Sequence, residues 1–529
     1  MHYRNRCPAG AVIAILLLSP GAAIADPVRI SVAEFTLKQQ QVKVLKKGMD
    51  VMRAYSAADP MSQKFRTSFA YWANTHGYVG TGAHATSMQK YIIDYRMPQC
   101  LDAYDKKTCD LYFKHVVNVT VPGDGYTDAI WGTCQHGNLH FLPWHRFFLH
   151  YFERTLRKHS KDPNFALPYW NYYDNYIPGR KGLALPSLVL KQKNTLYNPW
   201  RTPGLNVGSA VMDPDMADAS QAFAFDDFTG FSNQLQNQPH GAMHCAAGSG
   251  CTAPDIGLVP IAGADPVFYM HHANIDRLWQ CWMKKHAKGQ TIDLAWAKAN
   301  LGMPDSWYEQ QFSFADENGQ PVTVKVADVF SAEFTPQYDN LSDCDARPAA
   351  LAPPVPAGLK AMAATPLQPH PPLLAGKKVE LGNSAVDVPL QLAPTPAPPP
   401  EAALKAAQAG GKTYLVLEDV RLQGAPFLTY KIYLYSKSNP KQSSYVSTFS
   451  FFGAGAAHAG HGDGDALGTL VYQVSGNLHA LGVTDASDVA VRFVPTDLMV
   501  GQKLKTQKPG SGVTVANIRL ETAQATPTK

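Results

Sequence analysis

Apolar positions recur with helical spacing in two stretches. In "WHRFFLHYFERTLRKH" (144–159), Phe148, Phe152 and Leu156 share one stripe, and "NIDRLWQCWMKKH" (274–286) repeats the pattern. Between them lie loop-like segments such as "NYIPGRKGLALP" and "MDPDMADASQ". Beyond residue 375 the period changes to two. "KKVELGNSAVDVPLQL", "KTYLVLEDVRL", "LTYKIYLYS", "SYVSTFSFF" and "GTLVYQVSG" alternate apolar and polar residues between turn signals. The pattern predicts a mainly helical region followed by an all-β, sandwich-like one.

Composition sets the boundaries. "ARPAALAPPVPAGLKAMAATPLQPHPPLLAG" reads as a Pro/Ala spacer, dividing a domain at 26–345 from a linker at 346–375 and a β domain at 376–522, with 523–529 as a tail. A second Pro/Ala stretch (393–410) is expected as a loop within the β domain. Residues 1–25 resemble an export signal: Arg4 and Arg6 precede "AGAVIAILLL", too short to span a membrane, and "AIA" stands before Asp26. Its removal would lower the net charge from +5 to +3, since it carries two arginines and no acids. That balance, without a basic stripe, speaks against nucleic acid as a partner. No other run predicts a membrane span. The expected location is the periplasm or the exterior.

Export permits disulfides, and Cys100/Cys109, Cys245/Cys251 and Cys281/Cys344 are plausible pairs. Cys134 is then left over.

The chemistry lies in histidines set among aromatics. "CQHGNLHFLPWHR" (134–146) holds His136, His140 and His145. His240 and His244 in "PHGAMHC" stand four apart, which on a helix puts both imidazoles on one face. "DPVFYMHHANIDRLW" holds adjacent His271 and His272. Neighbours on a helix diverge by about 100°, so one of the two is expected to face a shared metal. Asp276, one turn beyond His272, is expected to hydrogen-bond a ligand imidazole and fix its tautomer. A site of imidazoles alone suits copper, or catalytic zinc with an open position, and spacing does not separate these.

"HxxxxFLPWHR" and "DPVFYMHHANIDRLW" resemble the two copper signatures of the tyrosinase, catechol oxidase and haemocyanin family, and the likeness extends over about residues 50–345. "LEDVRL", "TYKIYLY" and "VRFVPT" are similar to the β domain that follows the catalytic domain in plant polyphenol oxidases. The resemblance implies an antiparallel four-helix bundle holding two copper ions. Carried over by position, it implies His76, His136 and His145 at one copper, and His240, His244 and His272 at the other. His115 competes with His76, and His271 becomes a neighbour. Helical spacing alone would pair His136 with His140, but Pro143 argues against a continuous helix there. Some fungal and molluscan members join a cysteine to the second histidine by a thioether. Cys134-Gln135-His136 has that arrangement.

The implied activity is O2-dependent oxidation of o-diphenols to o-quinones, with monophenol hydroxylation where a base is present. Monophenol-hydroxylating members often carry Glu and Asn where this chain has Gln236 and Gly241, which tilts the expectation toward diphenols; Asp226 or Asp227 is a substitute base. Phe268 is a candidate wall for the substrate ring. O2 and small phenols are the expected partners, and a protease that cuts the linker is an expected activator of a latent form. The alternatives are a haemocyanin-like O2 carrier, an o-aminophenol oxidase and a two-zinc hydrolase. The last is disfavoured because the two motifs hold only Asp265 and Asp276 as carboxylates. His458 and His461 are candidates for copper delivery, and Asn118-Val-Thr120 matches a glycosylation sequon.

Overall fold

The computed structural model describes residues 27–78, 122–342 apart from 193 and 252–254, 374–392, 411–423, 428–453, 466–483, 486–502 and 512–522, with a few positions among 94–109 and Cys344. The signal-like segment, His115, Asn118, His458, His461 and nearly all of the linker lie outside the described residues.

The first half is helical. Its main elements are α1 (Gln39–Tyr55), α2 (Phe69–His76), α3 (Phe141–Ser160), α4 (Phe228–Leu235), α5 (Ala242–Ala247) and α6 (Val267–Ala287). Side chains close several of their first turns. Ser68 accepts from the Tyr71 amide at the start of α2, and Asp227 from the Gly230 amide at the start of α4. Pro143 is the third residue of α3, in the first turn, where its missing N–H has no intrahelical partner to lose. The helix therefore starts at Phe141, and His136 and His140 do not share it.

The predicted stripe on α3 is buried: Phe148, Phe152 and Leu156 are at most 1% exposed. Phe152 stacks on Tyr269 of α6, centroids 3.6 Å apart and planes within 10°. Gly48 of α1 lies under Leu156, where a Cβ would come 2.9 Å from Leu156 Cδ2. Burying one large apolar side chain in this way contributes about 1.5–3 kcal/mol.

Among the described residues the second half contains ten strands: β1 (Leu374–Gly376), β2 (Val379–Leu381), β3 (Val386–Pro389), β4 (Gln391–Leu392), β5 (Thr413–Gln423), β6 (Thr429–Ser436), β7 (Ser443–Phe449), β8 (Ala466–Gln473), β9 (Val489–Thr496) and β10 (Gly512–Thr522). One sheet has the order β4-β1-β10-β5-β8, with β2 also on β10, and the other has the order β7-β6-β9-β3. All pairings are antiparallel. Leu415, Leu417 and Ile518 of one sheet and Ile432, Leu434 and Phe493 of the other are fully buried. One short helix, Ser475–Leu481, interrupts the all-β pattern.

Cys245–Cys251 and Cys281–Cys344 are disulfides, and Cys109 is disulfide-bonded. Cys134 is in none. No helix among the described residues is long and apolar enough to cross a membrane.

Candidate metal centre

Four helices, one loop and one irregular turn bring seven imidazoles together. His76 closes α2, and the chain then passes so near Pro260 that a Cβ at Gly77 would lie 2.4 Å from Pro260 Cα. His136 stands in the loop before α3, and His145 on α3 itself. His240 lies in the irregular turn Gln236–Gly241, His244 on α5, and His271 and His272 on α6. The ligand atoms of His76, Cys134, His136 and His145 all fall within 4.8 Å of one another, as do those of His240, His244, His271 and His272. The two groups face each other, with His145 stacked on His272 at 4.5 Å and His136 on His240 at 5.8 Å.

Backbone carbonyls set the tautomers. Nδ1 of His145 donates to Phe141 O (2.7 Å), that of His240 to Gln236 O (3.0 Å) and that of His244 to Ile256 O (2.8 Å). A carbonyl only accepts, so each Nδ1 carries the proton and each Nε2 presents a lone pair to the centre. The Nε2 atoms of His240 and His271 are buried without a hydrogen-bond partner, and those of His244 and His272 face each other at 3.1 Å. Converging lone pairs in a buried site call for a cation between them. Burial and neighbouring imidazoles hold His145, His244 and His272 well below the usual histidine range, burial and His240 do the same for His271, and burial brings His240 to about 3. These rings are therefore neutral, as metal ligation needs. Neither group contains a carboxylate. That donor set fits copper, which imidazole suits, and lacks the oxygen ligands of hard cations.

Several expectations are corrected. Asp276 does not reach a ligand imidazole. Its carboxylate accepts from Arg146 Nε (2.6 Å), Tyr338 OH (2.6 Å) and Arg29 Nη1 (3.3 Å), so it closes a buried ion network instead. Phe268 is fully buried, its ring 4.1 Å from that of His272 and 4.5 Å from that of His76. It is a packing floor for ligand rings, not a wall at the mouth. His271 is more than a bystander, because its Nδ1 meets Tyr172 OH at 2.8 Å and its ring lies 4.5 Å from His244. Both adjacent histidines reach the centre, since long side chains converge although their Cα–Cβ bonds diverge. Asp226 pairs with Lys412 (2.6 Å), which with His286 lowers it to about 2, and Asp227 caps α4. Neither is a base for this site. His140 stacks on Trp307 and belongs to neither group.

Gln236 and Gly241 serve the surroundings of the centre. The Gln236 amide accepts from Gly137 N (2.9 Å) and donates to Asn138 O (3.2 Å), tying down the loop that carries His136. Gly241 lies under the β region: a Cβ there would come 2.5 Å from Ser450 Oγ and 3.1 Å from Phe452 Cβ.

Sequence reasoning missed Phe452. Its ring lies parallel to that of His244, centroids 4.0 Å apart and planes within 7°, and edge-on to His240 at 5.2 Å. The one signal was a pair of phenylalanines ending a strand just before a Gly-rich loop. Gln238 was missed too. Its Oε1 accepts from Ser447 Oγ (2.7 Å) and Thr448 N (2.9 Å), clasping the segment that leads to Phe452.

With two facing imidazole groups in place, relatives decide the family. Residues 66–219 and 191–285 match the common central domain of tyrosinase. The chain carries a tyrosinase-type central domain. It is 27% identical over 411 residues to a tyrosinase of Hahella sp., covering 69% of this chain and 80% of that one. It is 30% identical to a latent polyphenol oxidase of Prunus armeniaca, over 42% of this chain and 40% of that one. Latent aurone synthase, a polyphenol oxidase, shares the fold with a TM-score of 0.57 at 18% identity, over 95% of this chain and 90% of that one. Latent apple tyrosinase does so at 0.50 and 20%, over 95% and 98%. With this domain and these imidazoles, the chain is an oxidoreductase that oxidises phenols with O2 at a binuclear copper centre.

Proposed function

We propose that this enzyme converts o-diphenols to o-quinones and is made in a latent form that its own β domain closes. The ligands are His76, His136 and His145 at one copper and His240, His244 and His272 at the other. Held there, copper would supply O2 binding and the two-electron oxidation of a diphenol. The chain's part is to hold the imidazoles neutral and oriented, through the Nδ1 hydrogen bonds and the packing of Phe268. The observation that carries the reading is the pair of facing imidazole groups without a carboxylate.

Preference for diphenols rests on Gln236 and Gly241. A neutral amide bound to the 137–138 backbone cannot take a phenol proton, and glycine offers no side chain to hold a water. Latency rests on Phe452, whose ring lies flat on His244 where a planar substrate would otherwise pack. The likenesses to latent polyphenol oxidase, latent aurone synthase and latent apple tyrosinase favour the same reading. Removing the segment after the linker with a protease should open the site. Cys134 Sγ is 3.4 Å from His136 Nδ1, which supports a thioether between them. Its formation removes the thiol hydrogen and one ring C–H hydrogen, the two electrons passing to O2. The disulfides and the signal-like residues 1–25 support export.

The experiment is copper analysis and catechol oxidation before and after cleavage at the linker. Two coppers per chain with quinone formation after cleavage is the expected result. Reversible O2 binding without turnover would instead identify a carrier.

A further inference from the structure

One cavity lies away from the copper centre. It holds about 620 Å³ beside the C-terminal half of α3. Arg154 is nine residues beyond His145, and at about 100° per residue it points to the opposite side of α3 from the ligand. The phenol reaction uses none of this space.

We propose that this cavity is a binding site for a small multiply charged oxyanion, a phosphate or a polycarboxylate. Six cationic side chains line it against three carboxylates. Lys158 and Lys161 are among them, and Lys161 caps the C-terminus of α3 in a left-handed conformation. Within the wall, the Nε2 of His150 is buried and has no hydrogen-bond partner, and the ring packs against Phe334 at 4.6 Å. Burial, with Arg154, Arg29 and Arg157 nearby, lowers His150 to about 3, so the field inside is positive and the ring neutral. An oxyanion protonated at one oxygen could donate to that nitrogen, while its charged oxygens accept from the lysines and arginines.

The floor gives the site a consequence. It is formed by Arg29 and Arg146, both bound to Asp276, and Arg146 directly follows His145. An anion on the arginines would compete with Asp276 for the ion network joining the two histidine helices.

The test titrates full-length protein with phosphate, citrate and chloride at matched ionic strength, by calorimetry. Lys158→Ala/Lys161→Ala lies away from the copper ligands and should leave folding and diphenol oxidation unchanged. Saturable binding of one phosphate or citrate per chain, weakened roughly tenfold or more in the double variant, supports the site, and the tighter anion names the source. Phosphate or citrate binding no tighter than chloride, or binding equal in both proteins, overturns it.

Discussion

At single residues, the centre is shaped by what is small as much as by what ligates. Gly241 leaves room for Ser450 and Phe452, so Gly241→Asn cannot be accommodated while the β domain is closed. Phe452→Ala removes the plug outright. Both variants should raise catechol oxidation by the uncleaved chain at least roughly tenfold, about 1.4 kcal/mol in a closing equilibrium. Unchanged latency in both would show that Phe452 does not block the site. Cys134 gives a mass prediction: the mature copper-loaded protein should be two hydrogens lighter than its sequence with its disulfides formed requires, and Cys134→Ser should match its own sequence with the same disulfides. A native mass without that deficit would exclude the thioether.

At the scale of elements, α3 and α6 are joined by ring stacking, as of Phe152 on Tyr269, and by an ion pair, Arg146 on Asp276. Arg146 also lies over Trp279 at 4.0 Å, and Arg29 bridges Asp276 to Glu153. Asp276→Asn leaves buried guanidinium charge without its partner, which should cost about 3–5 kcal/mol in denaturant unfolding and lower copper per chain. A loss under about 1 kcal/mol would mean the network is dispensable. Buried histidines add a pH dependence. Their folded pKa values lie below the ordinary 6.5, so the unfolded chain binds protons first as pH falls. Metal-free protein should therefore lose stability from about pH 6.5 down toward about 3, where His240 itself protonates. Thermal unfolding of the metal-free protein between pH 7 and 4 checks this, with a flat profile as the contrary outcome.

At the scale of the whole molecule, the β region is held to the helical one by several kinds of contact. Lys431 Nζ lies 2.6 Å from both Asp213 and Asp215. Backbone bonds run from Asp213 N to Leu498 O (2.9 Å) and from Val500 N to Val211 O (3.0 Å). Cutting the linker breaks none of these. Limited proteolysis should thus activate in two stages, a nick with little gain and then a rise as the β domain dissociates, faster for Lys431→Ala. Activity that never rises as the β domain is lost would contradict latency.

Much was legible without coordinates, and the reasons are local. The period of 3.6 around Phe148, Phe152 and Leu156 marks α3 because one face must be buried, and the period of two marks the strands for the same reason. The spacing of His240 and His244 follows from one helical turn. His136 and His145 were not reachable by spacing, since His136 lies in the loop before the helix that begins at Phe141, and the family likeness alone pointed to the pair. Asp276 was misjudged because one turn of separation gives proximity to His272 but says nothing of Arg146 and Tyr338, which come from 130 and 62 residues away and bind it first.

The sequence by itself therefore determined the histidine-bearing helices, the β region and an all-imidazole metal site, because periodicity and donor chemistry are properties of short segments, while copper over zinc came from the family likeness. Only the tertiary structure decided that His271 joins the second group, that Gln236 holds the His136 loop, and that Phe452 covers His244. Each of these is a contact between segments far apart in the chain, and no local pattern encodes which distant side chain arrives.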